Sequence, residues 1–220
     1  MWRVKVCGLT RWSDAIAASN ADADALGFVL EPKSPRFIGE EPWYWVRAIG
    51  GCLNVGVMGE SIEVSDDVLR LFQVIQAFGN DAKYHKARIP VFRPHLAMTL
   101  DDWLVETRSW DWCLLDPYHD GLAGGTGTSV DWDKASDFVA RFDGRVILAG
   151  GLGPDNVHEA ILKVKPFGVD ASSRLESSPG LKDAELVRSY VSEAWDALCE
   201  VHKKSMQELW DEAAAIRLTV

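Results

Sequence analysis

Four features of this 220-residue sequence could together do chemistry: a thiol, a carboxylate, an arginine and a set of glycine- and serine-rich turns. Cys7 stands directly before Gly8, at the end of the apolar run that opens the chain. A free cysteine is most often a small buried residue. At the active end of a strand it becomes a base or nucleophile if its pKa is lowered. Asp116 ends a second apolar run, Trp112 to Leu115, and a long loop follows it to Gly124-Gly125-Thr126-Gly127. Such an acid either caps its loop or, facing Cys7, delivers a proton. Arg36 follows Pro35, and its fork suits a carboxylate, the alternative being a solvated surface arginine. Gly150-Gly151 and Ser172-Ser173 end the last two apolar runs, with Arg174 next. Backbone N–H groups in paired loops of this kind favour a phosphate cradle over plain tight turns.

The elements that must position these groups alternate regularly. Strand-like runs are expected at Val4–Cys7, Ala25–Leu30, Leu53–Met58, Val74–Ala77, Pro90–Arg93, Trp112–Asp116, Val146–Ala149 and Phe167–Ala171. Helix-like stretches lie between them, with Ser65, Thr99 and Asp131 as N-caps, Pro42 in a first turn and only a weak piece after the fourth run. Eight strand–helix units predict a parallel sheet closed into a single-domain (β/α)8 TIM barrel. An open doubly wound sheet is the runner-up, but it needs fewer units and a glycine fingerprint that this sequence lacks. In a barrel, Cys7, Arg36, Asp116 and the two loops share the C-terminal rim of the strands. Lys5 has the parity of Cys7 and points inward. A buried ammonium needs a partner, and Asp170 on the adjoining eighth strand is expected to supply it.

The barrel is expected over 1–196, with a C-terminal helical extension over 197–220. There His202, Met206, Leu209, Ala213, Ile216 and Val220 form a heptad-like seam. That seam packs on the barrel or forms a dimer contact, leaving monomer and homodimer both open. A net charge of -10 argues against nucleic-acid or anionic-membrane partners. No apolar run reaches membrane-spanning length, and no signal peptide opens the chain. Four scattered cysteines fit a reduced cytoplasmic protein, and no metal-ligand spacing occurs. Most of the ten tryptophans fall on helices or their ends, where packing accounts for them.

The motifs Lys5-Val6-Cys7-Gly8-Leu9-Thr10, Lys33-Ser34-Pro35-Arg36, Leu115-Asp116, Gly124-Gly125-Thr126-Gly127, Asp131-Trp132, Leu148-Ala149-Gly150-Gly151-Leu152 and Val169-Asp170 with Ser172-Ser173 keep one order and spacing. They resemble the phosphoribosylanthranilate isomerase family of tryptophan biosynthesis. The resemblance implies a cofactor-independent Amadori rearrangement of a small phosphorylated substrate, an aminosugar bearing an anthranilate. It implies Asp116 as general acid and Cys7 as general base. It implies Arg36 on the anthranilate carboxylate, and the loops of Gly150, Gly151, Ser172 and Ser173 on the phosphate, with Gly125 in the glycine loop. The sequence departs from the family at three places. Phe78 replaces a histidine after the fourth strand, Arg174 replaces a glycine, and Val57-Met58-Gly59-Glu60 replaces the family's pattern after the third strand. Arg174 either adds charge to the phosphate site or blocks it. The alternatives are a diverged relative acting on another phosphorylated aminosugar and a non-catalytic barrel that binds a phosphorylated ligand.

Overall fold

The computed structural model describes residues 1–39, 43–59, 65–78, 88–95, 97–116 and 131–217. Eight parallel strands close into a ring in sequence order. They are β1 (Val4–Val6), β2 (Ala25–Val29), β3 (Leu53–Val57), β4 (Val74–Phe78), β5 (Arg88–Phe92), β6 (Trp112–Leu115), β7 (Arg145–Leu148) and β8 (Gly168–Ala171). β8 pairs with β1 in a register that sets Lys5 beside Asp170. Helices α1 (Trp12–Asn20), α2 (Tyr44–Arg47), α3 (Asp66–Leu69), α4 (Leu100–Thr107), α5 (Trp132–Arg141), α6 (Val157–Val164) and α7 (Ala184–His202) follow β1, β2, β3, β5, β6, β7 and β8. The expected Pro42 turn and the weak piece after β4 lie outside the described residues. The chain is thus a (β/α)8 TIM barrel.

Parity along each strand divides the apolar residues into two cores, as a pleated barrel requires. Inside the ring, Ala25, Leu53, Val55, Val74, Ile89, Val91, Leu114 and Ile147 fill the lumen. Their neighbours Val4, Val6, Leu26, Phe28, Ile75, Phe92, Cys113 and Leu148 pack outward against the helices. Trp103 serves that outer layer, meeting Phe92 and Phe138 edge-on, while Trp2 and Trp112 join the inner cluster. The helix starts are built as the sequence predicts. Thr99 and Asp102 form a reciprocal capping box on α4, and Asp131 accepts from the N–H groups of Asp133 and Lys134 on α5.

The chain's last helix, α8 (Met206–Arg217), closes the barrel floor. α7 runs unbroken through residue 197, so the turn falls instead at Lys203, which adopts a left-handed φ of 53°. Leu209 and Ala213 of the predicted seam are fully buried. Trp210 stacks on Trp195 of α7, with ring centroids 6.1 Å apart. The Met1 amine donates to the carbonyl of Ala213 at 2.8 Å, and Arg3 pairs with Glu212 at 2.8 Å. Leu209 and Ala213 thus pack on their own barrel, whereas Met206 of the same seam is exposed. Val220 lies outside the described residues. No helix among the described residues is long and apolar enough to cross a membrane.

Candidate active site

Inward parity carries Lys5, Cys7, Gly27, Gln76, Phe78, Arg93, Asp116 and Asp170 into the lumen or onto its upper rim. Lys5 is fully buried, and its Nζ donates to Asp170 Oδ2 at 2.6 Å and to Gln76 Oε1 at 2.9 Å. This is the pairing expected from parity and strand adjacency. Burial works against the Lys5 charge, but Asp170 and Cys7 more than offset it and hold the ammonium protonated. Gly27 makes room for this group. A Cβ there would lie 2.7 Å from Cys7 Sγ and 2.8 Å from Lys5 Cε, so thiol and ammonium side chain meet over one glycine. Burial pushes the Cys7 thiol up, while Lys5 and Lys182 pull it down. The pocket is positive beside the sulfur, yet desolvation wins and the free protein favours the neutral thiol.

Arg36 enters beneath Gly8. That glycine has a φ of +75°, and a Cβ on it would lie 2.6 Å from Arg36 Cδ and 2.7 Å from Ser172 Oγ. Only glycine fits so close an approach. Ser172 Oγ donates to the Cys7 carbonyl at 3.0 Å, tying the ends of β1 and β8 together. Cys7, Arg36 and Ser172 thus form one cluster. The Nε and Nη2 of Arg36 grip the two oxygens of buried Glu176 at 2.9 and 2.8 Å. Lys182 Nζ meets Glu176 Oε1 at 2.7 Å and the Ser172 carbonyl at 3.0 Å. Burial acts to raise the Glu176 carboxyl, but these two cations hold it below its ordinary value.

The loops after β7 and β8 lie side by side. Gly150 and Gly151 both adopt left-handed φ values, 87° and 64°. Asn156 braces the turn, donating to the Gly151 carbonyl at 2.9 Å and accepting from the Gly153 N–H at 2.8 Å. Ser173 opens a short 3-10 turn, Ser173–Leu175. Arg174 spans the two loops, with Nη1 on the Gly151 carbonyl at 3.1 Å and Nη2 on both oxygens of Asp155. Its φ is not positive, so the side chain is accommodated without left-handed strain.

Asp116 ends β6 on the other side of the lumen, and its charge is felt by Asp170. It does not stand alone. Arg93, one residue past β5, donates from Nε and Nη2 to Asp116 Oδ2 at 3.0 and 2.8 Å and stacks over the Phe78 ring at 4.2 Å. Arg93, Glu176 and Lys182 were not among the candidates that the sequence offered. Strand parity is the signal that would have pointed Arg93 inward. Gly125 and its glycine loop lie outside the described residues. Among the described residues, no cluster of histidine, cysteine or carboxylate is arranged to hold a metal.

A thiol, a carboxylate and cations around one barrel mouth suit proton transfer on an anionic substrate. Known proteins of similar sequence and structure share one name. The curated N-(5'-phosphoribosyl)anthranilate isomerase of Trichlorobacter lovleyi is 38% identical over 213 residues, covering 90% of this chain and all of that one. Its counterpart in Rubrobacter xylanophilus is 39% identical over 210 residues, covering 88% of this chain and 99% of the relative. Among solved structures, the phosphoribosyl anthranilate isomerase of Thermotoga maritima matches with a TM-score of 0.72 and 30% identity, covering 88% of this chain and 98% of that chain. Another solved phosphoribosyl anthranilate isomerase holds reduced 1-(o-carboxyphenylamino)-1-deoxyribulose 5-phosphate and matches with a TM-score of 0.69 and 28% identity, covering 88% and 98% of the two chains. The profile of the N-(5'-phosphoribosyl)anthranilate (PRA) isomerases matches residues 4–193, and the chain belongs to that family.

Proposed function

We infer that this protein isomerises N-(5'-phosphoribosyl)anthranilate to 1-(2-carboxyphenylamino)-1-deoxyribulose 5-phosphate, with Cys7 and Asp116 as its base and acid. The observation that carries this reading is the placement of both groups at one barrel mouth, in a chain that matches isomerases over nearly their whole length. Asp116 protonates the ribose ring oxygen. The C1–O bond breaks, and the nitrogen lone pair forms the C=N bond of a Schiff base. The Cys7 thiolate then removes the C2 proton, and the electron pair moves through C1 back to nitrogen, giving an enolamine that relaxes to the ketone. The first two steps each move one proton, the enolamine becomes the ketone as its C2 hydroxyl loses a proton and C1 gains one, and no step needs a redox partner.

The other groups divide the substrate's two negative ends. A planar guanidinium has a second edge, so with Nε and Nη2 turned to Glu176, the Nη1 side of Arg36 remains for the anthranilate carboxylate. The adjacent loops of Gly150, Gly151, Ser172 and Ser173 receive the phosphate, and Arg174 braces them from the side with its charge turned to Asp155. Lys5 is the cation that stabilises the Cys7 thiolate when the pocket charges. The four free cysteines fit a reducing cytoplasm.

Expression in a tryptophan auxotroph lacking this isomerase tests the reading. The wild-type chain restores growth, and the purified protein converts phosphoribosylanthranilate. Cys7→Ala and Asp116→Asn each lower kcat by about 10²–10⁴-fold. A folded wild-type protein that neither rescues growth nor turns over this substrate overturns the assignment in favour of a different phosphorylated aminosugar or a binding role.

A further inference from the structure

The lumen holds two carboxylates within electrostatic reach of each other, Asp116 and Asp170. Each has its own cation. Lys5 serves Asp170 from inside the barrel, and Arg93 serves Asp116 at the rim. The geometry of the second pair is asymmetric. Both Arg93 donors converge on Oδ2 of Asp116 rather than spreading over the two oxygens. An oxygen that already accepts two charge-assisted bonds is the poorer place for a proton. Oδ1 is therefore the oxygen left to carry and deliver it.

Arg93 is itself held in place. Its guanidinium lies on the Phe78 ring at 4.2 Å, and the Phe78 carbonyl accepts from Arg88 Nη2 at 3.2 Å. Cation and aromatic face attract each other, and the contact holds the guanidinium against the ring beside Asp116. The side chains of Arg93 and Asp116 are each about four-fifths buried, 20% and 17% exposed, so their contact is only partly screened by water. Phe78 occupies the position where the resemblance places a histidine, and in this chain it forms the shelf for an arginine.

We propose that Arg93, shelved on Phe78, is a positioning residue for the isomerisation: it fixes Asp116 through Oδ2, turns Oδ1 to the sugar, and stabilises the carboxylate left after proton transfer. The proposal rests on the function inferred above and adds a residue that acts through the acid without touching the substrate. During the step, the Asp116 Oδ1–H bond breaks, an O–H bond forms at the sugar ring oxygen, and the new carboxylate charge is met by Arg93.

The test is Arg93→Met in the full chain. kcat falls about 10–100-fold, as expected when a reacting group loses its fixed geometry. The Kd for reduced 1-(o-carboxyphenylamino)-1-deoxyribulose 5-phosphate, read by calorimetry, stays within about threefold, because transition-state geometry is lost and ground-state contacts are not. In an Asp116→Asn background the same substitution changes kcat less than about threefold, since residues acting as a unit are not additive. If that background is too slow to measure, the first two readings decide. An unchanged kcat overturns the proposal, and so does a tenfold weaker Kd, which would make Arg93 a substrate contact. If Arg93→Met fails to fold, Phe78→Leu, which removes only the shelf, is read by the same criteria. A wild-type protein that does not turn over phosphoribosylanthranilate overturns the function and this inference together. An active wild type with an indifferent Arg93→Met overturns this inference alone.

Discussion

Replacing Asp170 by leucine leaves the Lys5 ammonium inside the barrel with only Gln76 and the Cys7 sulfur as polar partners. In the wild type, Asp170 and Cys7 hold Lys5 above its ordinary value of 10.5. Its contribution to stability is therefore complete below about pH 10.5 and lost only as pH rises through the higher folded value. Without Asp170, burial dominates and the folded value drops below the unfolded one. The fully buried lysine then folds only by shedding its proton or by bearing the cost of an unpaired charge. Shedding a proton from a group of pKa 10.5 costs about 1.36 kcal/mol per pH unit, or roughly 4.8 kcal/mol at pH 7 and roughly 2 kcal/mol at pH 9. That sets the ceiling of the loss and falls in the range of about 3–5 kcal/mol known for broken buried pairs. Urea denaturation of Asp170→Leu at the two pH values is the assay, with Lys5→Met/Asp170→Leu as the apolar control. The single variant loses about 3–5 kcal/mol at pH 7, and its deficit shrinks as pH rises. The double variant recovers most of the loss, because two packed apolar side chains replace the pair. A deficit below about 1 kcal/mol at pH 7, or one that does not shrink by pH 9, refutes the reasoning, since either means that the ammonium is not isolated.

Gly8→Ala forces a β-carbon against Arg36 and Ser172 at a positive φ; it costs at least ~1–2 kcal/mol in urea denaturation and raises KM about tenfold by displacing Arg36. Alkylation of Cys7 by iodoacetamide, followed by peptide mass spectrometry, keeps accelerating past pH 9, because burial raises the thiol from its ordinary 9.0. Lys5→Met moves that inflection higher still, and a rate that levels off below pH 8 contradicts the burial argument. Leu209→Ala, on the barrel floor, lowers stability by about 2–5 kcal/mol and leaves kcat unchanged, because the floor lies at the other end of the barrel from the site.

The ring of strands was legible in the sequence because each strand is a short apolar run between glycine- or carboxylate-rich loops, and eight such units have one natural closure. Parity then carried further than any motif. It turned Lys5 inward and predicted Asp170 as its partner before either side chain was placed. Boundaries were less legible where a strand begins in polar residues: β5 starts at Arg88 rather than Pro90. Among the described residues the helix after β2 is a single turn, Tyr44–Arg47, where the sequence suggests one reaching Ile49, and the short helix after β3 ends at Leu69 rather than Phe72. Partnerships across long separations were the least legible. Glu176 carries no pattern of its own in the sequence, and nothing local says that it gathers both Arg36 and Lys182. Arg93 looked like the last residue of a strand because its worth depends on Phe78 and Asp116, which come from two other strands.

A ring that joins its first strand to its last is finished late in synthesis. β1 gains β2 as a neighbour early, but its second edge stays open until β8 arrives, because Val4 pairs with Val169. Until then the nascent chain is a curved open sheet with two exposed margins, the form most prone to pairing with a stranger. α8 emerges later still, and its backbone takes the Met1 amine as a donor. Met1 is thus secured by a helix residue 212 positions further along, so disturbing that helix would loosen the floor of a barrel whose catalytic mouth it never approaches.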